Sequence, residues 1–155
     1  YSYGHRNPQG LAWDDDGRLW ATEHGSSARD ELNRIEPGRN YGWPTITGVQ
    51  NNSGMEPPVF TSGQYETWAP AGAGAHDDSV FFAGLRGERL YEAEVDDGSV
   101  VAFVSHFAGD FGRIRAVTLG PDREYLYLTT SNTDGRGVER DGDDRLIRIP
   151  LDAFD

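Results

Sequence analysis

The stretch IRAVTLGPDREYLYLTTSNTDG (residues 114–135), followed by DDRLIRIPL (143–151), reads as an apolar pair, a tight turn, a strand, a second turn and a strand of alternating character. The same phrase stands near the other end of the chain as GLAWDDDGRLWATEHG (10–25) with DELNRIEPG (30–38). Leu19-Trp20-Ala21-Thr22 matches Leu126-Tyr127-Leu128-Thr129, and Glu31-Leu32-Asn33-Arg34-Ile35 matches Arg145-Leu146-Ile147-Arg148-Ile149. Between them PAGAGAHDDSVFFAGLRG (70–87) with ERLYEAEVDDG (88–98) supplies a degenerate middle copy, so the unit recurs about every 50 residues. The turns DDDG, HDDS, DDG and PDRE put Asp and Gly where tight hairpins need backbone conformations that other residues resist. No segment carries a sustained helical apolar period. A repeat of three or four short antiparallel strands is the sequence form of a propeller blade. The fold class expected is therefore all-β, with about three β-propeller blades of antiparallel sheet, and a two-sheet sandwich is the alternative. Three blades cannot close a ring, so N-terminal blades are expected outside this chain. Tyr1-Ser2-Tyr3 reads as a strand, and the N-terminus as a cut rather than a beginning. Residues 40–68, low in strand signal and rich in Gly, Pro and Asn, read as a long loop of the kind that often carries function.

Composition narrows the partners. The 155 residues include no Cys, which excludes disulfides and thiolate metal sites, and no apolar run of the roughly 20 residues that a membrane helix requires. Sixteen Asp and ten Glu face fourteen Arg and no Lys, for a formal net charge of -12. Nucleic acid and anionic membranes need a basic face, so neither is an expected partner. Carboxylate-rich surfaces stay hydrated where salt screens their self-repulsion, and this lysine-free composition resembles that of halophilic proteins.

YSYGHRNPQGLAW (1–13), LWATEHG (19–25) and DELNRIEPGRNYGWP (30–44) are followed, in order, by LRGERLY (85–91) and GRIRAVTLGPDREYLYLTTSNTDGRG (112–137). These motifs resemble the PQQ-dependent soluble aldose sugar dehydrogenases, the glucose/sorbosone dehydrogenase family. The likeness covers essentially the whole chain and is weakest between Gly48 and Ala75. It implies that residues 1–155 are the C-terminal half of a six-bladed propeller. The full protein would oxidise aldose sugars at C1 to lactones, with hydride transfer to PQQ assisted by calcium. It implies a secreted, periplasmic or cell-surface location and a separate electron acceptor.

PQQ is a planar quinone with three carboxylates, so its site should offer guanidinium forks, a flat apolar wall and a hard cation near the reactive carbonyl. By resemblance Arg6 and Asn7 lie over the quinone, and Arg86 contacts a carboxylate. Arg113 and Arg115 are two apart and on a strand point the same way; two such charges repel unless an anion sits between them. The resemblance makes that anion a PQQ carboxylate. Trp68 resembles an aromatic residue beside the cofactor, though a packing role is the alternative. The main-chain carbonyls of Gly25 and Ser26 correspond to those that hold the cofactor's calcium, with Ser26 where the family often has Pro. Glu31, through its carboxylate, and Tyr41, through its main-chain oxygen, correspond to a second, structural calcium position. The alternative for Glu31 is pairing with Arg34 or Arg145.

Asp14-Asp15-Asp16-Gly17 and Asp141-Gly142-Asp143-Asp144 lack the spaced ligands of an EF-hand and are expected to be solvated turns. His5, His24, His76 and His106 lack zinc-type spacing. Of these, His24 is the one expected to line the cleft, while His5 is expected to pack beside the Arg6 turn. The family's general-base histidine falls outside this chain, which alone is expected to be inactive. A gluconolactonase-like propeller hydrolase and a non-catalytic calcium- or carbohydrate-binding propeller are the competing classes.

Overall fold

The computed structural model describes residues 1–154. Strands β1 (Pro8–Trp13), β2 (Leu19–Glu23), β3 (Glu31–Ile35) and β4 (Phe60–Thr61) form a first antiparallel sheet. β5 (Pro70–His76), β6 (Ser79–Gly84), β7 (Arg89–Asp96) and β8 (Ser99–His106) form a second. β9 (Ile114–Leu119), β10 (Tyr125–Thr130) and β11 (Leu146–Pro150) form a third. Within each sheet spatial order follows sequence order, so every repeat is a meander, and the three are propeller blades. The repeat extends to register: Thr22 pairs with Leu32 as the matching Thr129 pairs with Leu146.

The blades stack face to face. Successive residues of a strand point to opposite faces, and in β6 both faces are buried, which explains its apolar run. Val80 and Phe82 join Trp20, Leu32, Tyr91 and Val95 in the core between the first and second sheets. Phe81 and Ala83 join Leu90, Ile114, Val117, Leu126 and Leu128 between the second and third. On the far side of the first sheet, Leu11 and Trp13 stay exposed beside Leu19, Ala21 and Ile35 in an open apolar trough.

The first strand of each blade is the innermost: β1 lies against β5, and β5 against β9. Their backbones approach so closely that a Cβ on Gly10 would sit 2.3 Å from the Ala71 carbonyl oxygen, and one on Gly72 2.9 Å from Ala116 Cα. That crowding accounts for the Gly and Ala content of PQGLAW and PAGAGAH, which otherwise read poorly as strands. Thr22 Oγ1 donates to the Ala71 carbonyl at 2.8 Å and accepts from Gly10 N–H at 2.9 Å, fastening the first two blades near this axis.

Three expectations change. Tyr1–Tyr3 is not a strand; one parallel bridge joins Tyr3 to Asn40. Residues 40–68 include β4, which completes the first blade. The acidic turns are not merely solvated: Asp14 is buried and accepts from Trp20 Nε1 at 2.8 Å and Arg18 Nε at 2.7 Å. Burial opposes its charge, but these donors outweigh that and hold the carboxyl below the usual aspartate range. Asp143 and Asp144 likewise serve as acceptors, as described below. No helix of the described residues is long and apolar enough to cross a membrane.

Candidate functional site

One end of the sheet stack is built the same way three times. The residue just before each innermost strand is Asn7, Ala69 or Arg113, and its carbonyl accepts a backbone N–H from the loop leaving the second strand of the same blade. The donors are His24 at 3.1 Å, Leu85 at 3.0 Å and Ser131 at 2.9 Å. The N–H of each pre-strand residue is capped by a side-chain oxygen: Glu23 Oε1 for Asn7, Asp30 Oδ2 for Ala69 and Asn132 Oδ1 for Arg113. The sequence repeat thus sets a rim on which one residue of each blade is held at the mouth of the axis.

Hydrogen bonds connect the candidate cofactor residues along this rim. Arg6 donates from Nη1 to the His24 carbonyl at 3.2 Å, and its guanidinium lies 5.3 Å from the ring centre of Trp43. Glu23 caps the backbone N–H groups of both Arg6 and Asn7 and accepts from His5 Nδ1 at 3.0 Å. His5 stacks on Tyr41, with centroids 4.7 Å apart, beside the Arg6 turn as expected. His24 donates from Nε2 to the Pro70 carbonyl at 2.6 Å, joining the first blade to the second. Arg86 is exposed, has no ion pair among the described residues, and is held through its backbone N–H on the Trp68 carbonyl.

Arg113 and Arg115 share an anion, though here it belongs to the chain. Arg113 is buried and donates to the Ser131 and Leu85 carbonyls and to Asp134 Oδ2 at 3.0 Å; Arg115, half exposed, reaches the same oxygen at 3.5 Å. The Arg136 backbone N–H, with Arg113 and Ser131, holds the Asp134 carboxyl below its ordinary range despite opposing desolvation. The anion expected between the two arginines is thus supplied, in this structure, by Asp134. Arg115 keeps exposed guanidinium that a ligand can engage.

Trp68 is also corrected. It is 2% exposed and packs among Phe60, Phe82, Tyr91 and Phe103, with ring centres 5.3 to 6.0 Å away, so its ring lies in the core and not on the rim. Its backbone alone serves the site.

All four candidate metal positions converge. Gly25, Ser26, Glu31 and Tyr41 line one small cavity of about 20 Å³ together with Arg6, Glu23 and His24, room for a single ion or water. Glu31 pairs with neither Arg34 nor Arg145; it accepts from Gly48 N–H at 3.0 Å and Asn33 Nδ2 at 3.2 Å. Burial raises its carboxyl above the ordinary glutamate range, and the facing Glu23, its cross-strand partner, adds to the rise. Asn33 Oδ1 is buried with no partner. The two carboxylates that face each other across this cavity, Glu23 and Glu31, form a donor pair that suits a hard cation. No group of three His, Asp or Glu side chains arranged to hold a metal occurs among the described residues.

Sequence reasoning missed Glu23, Asp30, Asn132, Asp134 and Asp144. Asp144 accepts from the Asn132 backbone N–H and from the Thr130 and Thr133 hydroxyls, and Asn132 Nδ2 donates to Asp143. The repeat alignment was the available signal, because Asp30 and Asp144 both stand one residue before the matched segments.

The model of the glucose/sorbosone dehydrogenases matches residues 1–147. The chain belongs to that family. A PQQ-bound aldose sugar dehydrogenase from Streptomyces coelicolor superposes with a TM-score of 0.90 and 45% identity, over 97% of this chain and 45% of that one. Aldose sugar dehydrogenase YliI of Escherichia coli is 34% identical over 160 residues, 87% of this chain and 42% of the relative. Quinoprotein glucose dehydrogenase B of Acinetobacter calcoaceticus is 50% identical over 54 residues, 35% of this chain and 11% of the relative. The chain spans less than half the length of these family members.

Proposed function

We propose that the rim is the PQQ-gripping side of an aldose dehydrogenase, and that the full-length protein oxidises aldose sugars at C1 to lactones. The observation that carries this reading is the convergence of Arg6, Gly25, Ser26, Glu31 and Tyr41 on one cavity, linked by hydrogen bonds to Arg86 and Arg113. When bound, PQQ supplies the hydride acceptor and calcium the fixed positive charge that polarises its carbonyl. Of the two calcium positions that the resemblance implies, the cavity has room for one, which Gly25 and Ser26 would hold through their carbonyls or Glu31 and Tyr41 through a carboxylate and a main-chain oxygen. Arg86 and Arg115 present free guanidinium edges to the carboxylates, and Arg113 is fixed by the two carbonyls and Asp134. Arg6, held on the His24 carbonyl beside Trp43, would supply positive charge near the reactive carbonyl.

The chain's four histidines all bond within the fold through at least one ring nitrogen. His5 donates to Glu23 and accepts from Ser2, His24 donates to Pro70, and His106 is tied to Glu92 at 2.7 Å. The reading that this chain alone does not turn over rests on the resemblance, which puts the general-base histidine outside residues 1–155. The full-length protein, given PQQ and calcium, is expected to change the quinone absorbance and to reduce an artificial dye with aldoses. Arg113→Ala should weaken the quinone change. No spectral change in the parent, or dye reduction by residues 1–155 alone, sinks the corresponding part of the proposal.

A further inference from the structure

Asp30 is a charged residue that is 2% exposed, and its carboxylate accepts four hydrogen bonds from two blades. Oδ1 takes the Gly25 backbone N–H at 2.9 Å. Oδ2 takes Thr67 Oγ1 at 2.8 Å, Trp68 N–H at 2.7 Å and Ala69 N–H at 2.9 Å. The backbone it holds is under constraint on both sides. Arg29 and Ala69 have φ of 61° and 43°, left-handed values that cost energy for a residue with a Cβ. A Cβ on Gly25 would lie 1.9 Å from the Ala28 carbonyl oxygen, so the 25–30 loop is folded tightly on itself.

We infer that Asp30 is a positioning residue that sets the Gly25 and Ser26 carbonyls against the lead-in to β5. The inference rests on the reading of those carbonyls as calcium ligands. Through Oδ1 the carboxylate holds the N–H of Gly25, the residue whose carbonyl is the first ligand. Through Oδ2 it fixes Trp68 and Ala69, whose carbonyls in turn hold the Arg86, Gly87 and Leu85 N–H groups. One carboxylate therefore sets the distance between the cation position in the first blade and a cofactor arginine in the second. A neutral amide of the same shape cannot accept on both sides, because one of its two ends is a donor. Outer partners of this kind usually govern ligand-set affinity by about ten- to a hundredfold.

The test uses the full-length protein. Parent, Asp30→Asn, Thr67→Val and Leu128→Ala are titrated with calcium at fixed PQQ, reading the quinone absorbance, and each is melted without ligands. Asp30→Asn is expected to raise the calcium midpoint about tenfold or more, with excess calcium restoring the full absorbance change. Thr67→Val, which removes one of the four donors, should raise it by a smaller factor. Leu128→Ala empties a core site between the second and third sheets, and is expected to lower the melting temperature while leaving the calcium midpoint at the parental value. A folded Asp30→Asn protein with the parental midpoint overturns the inference, as does a Leu128→Ala shift as large as that of Asp30→Asn. If Asp30→Asn does not fold, an unchanged midpoint in Thr67→Val overturns it. A parent with no calcium-dependent quinone signal overturns the functional reading itself, a different outcome from a responsive parent and an indifferent variant.

Discussion

Asp30 and Asp144 occupy matching places in the first and third blades, each two residues before the leucine that pairs with the matched threonine (Leu32 with Thr22, Leu146 with Thr129), and each accepts the backbone N–H of the matching loop residue, Gly25 or Asn132. Their surroundings differ. Asp30 is buried, because its second oxygen reaches across to the second blade, whereas Asp144 is exposed and bonds only within its own blade. The middle blade has no such aspartate; its loop shrinks to a turn at Leu85–Glu88, with φ of 50° at Glu88. A local latch inherited with the repeat has become an inter-blade bond in one copy, has stayed local in another, and is absent from a third. The same contact therefore carries different weight according to what covers it.

Breaking the latches should expose that ranking. Asp30→Ala strands buried N–H groups of Gly25, Trp68 and Ala69 and is expected to cost about 3–5 kcal/mol, read from denaturant midpoints. Asn132→Ala leaves Arg113 N–H uncapped in a buried setting and should cost about 2–3 kcal/mol by the same assay. A smaller effect is expected of Asp144→Ala, and it should depend on pH. The Thr133 hydroxyl, then the Asn132 N–H, hold the Asp144 carboxyl below its ordinary value of 3.8. A depressed aspartate stabilises fully above that value and loses its contribution as pH falls below it. Parent and variant should therefore differ at neutral pH and converge in acid; a difference that persists at low pH would break the comparison. Least affected should be Arg123→Ala. Arg123 clasps the exposed turns of all three blades, reaching Asp15 at 2.6 Å and His76 at 3.1 Å, but ion pairs in solvent contribute little and are screened by salt. Its midpoint should match that of the parent in high salt.

The matched segments around Leu19 and Leu126 made the blades legible, because strand pattern and turn residues are local signals. The resemblance picked out Arg6, Gly25, Ser26, Glu31 and Tyr41 from motifs near one blade but gave the last two a separate calcium position, whereas all five line one cavity. Asp30 lay inside the quoted DELNR run, yet its role was hidden because Thr67, Trp68 and Ala69 stand 37 to 39 residues away. Trp68 misled for the related reason that an aromatic residue beside a cofactor and one in a core look alike in sequence. Asp134, lying between Arg113 and Arg115, was invisible because periodicity says which way a strand side chain points, not what meets it.

Gly10 and Gly72 have a mechanical consequence. Backbones that touch at the axis leave neighbouring blades no slack to slide or roll, so the three pre-strand residues behave as teeth cut on one stiff hub. Amide protons of β5, held between two such contacts, should be among the slowest in the chain to exchange with solvent. A cofactor arriving at the rim would meet a gauge already set, with only long side chains such as Arg86 and Arg115 left to adjust.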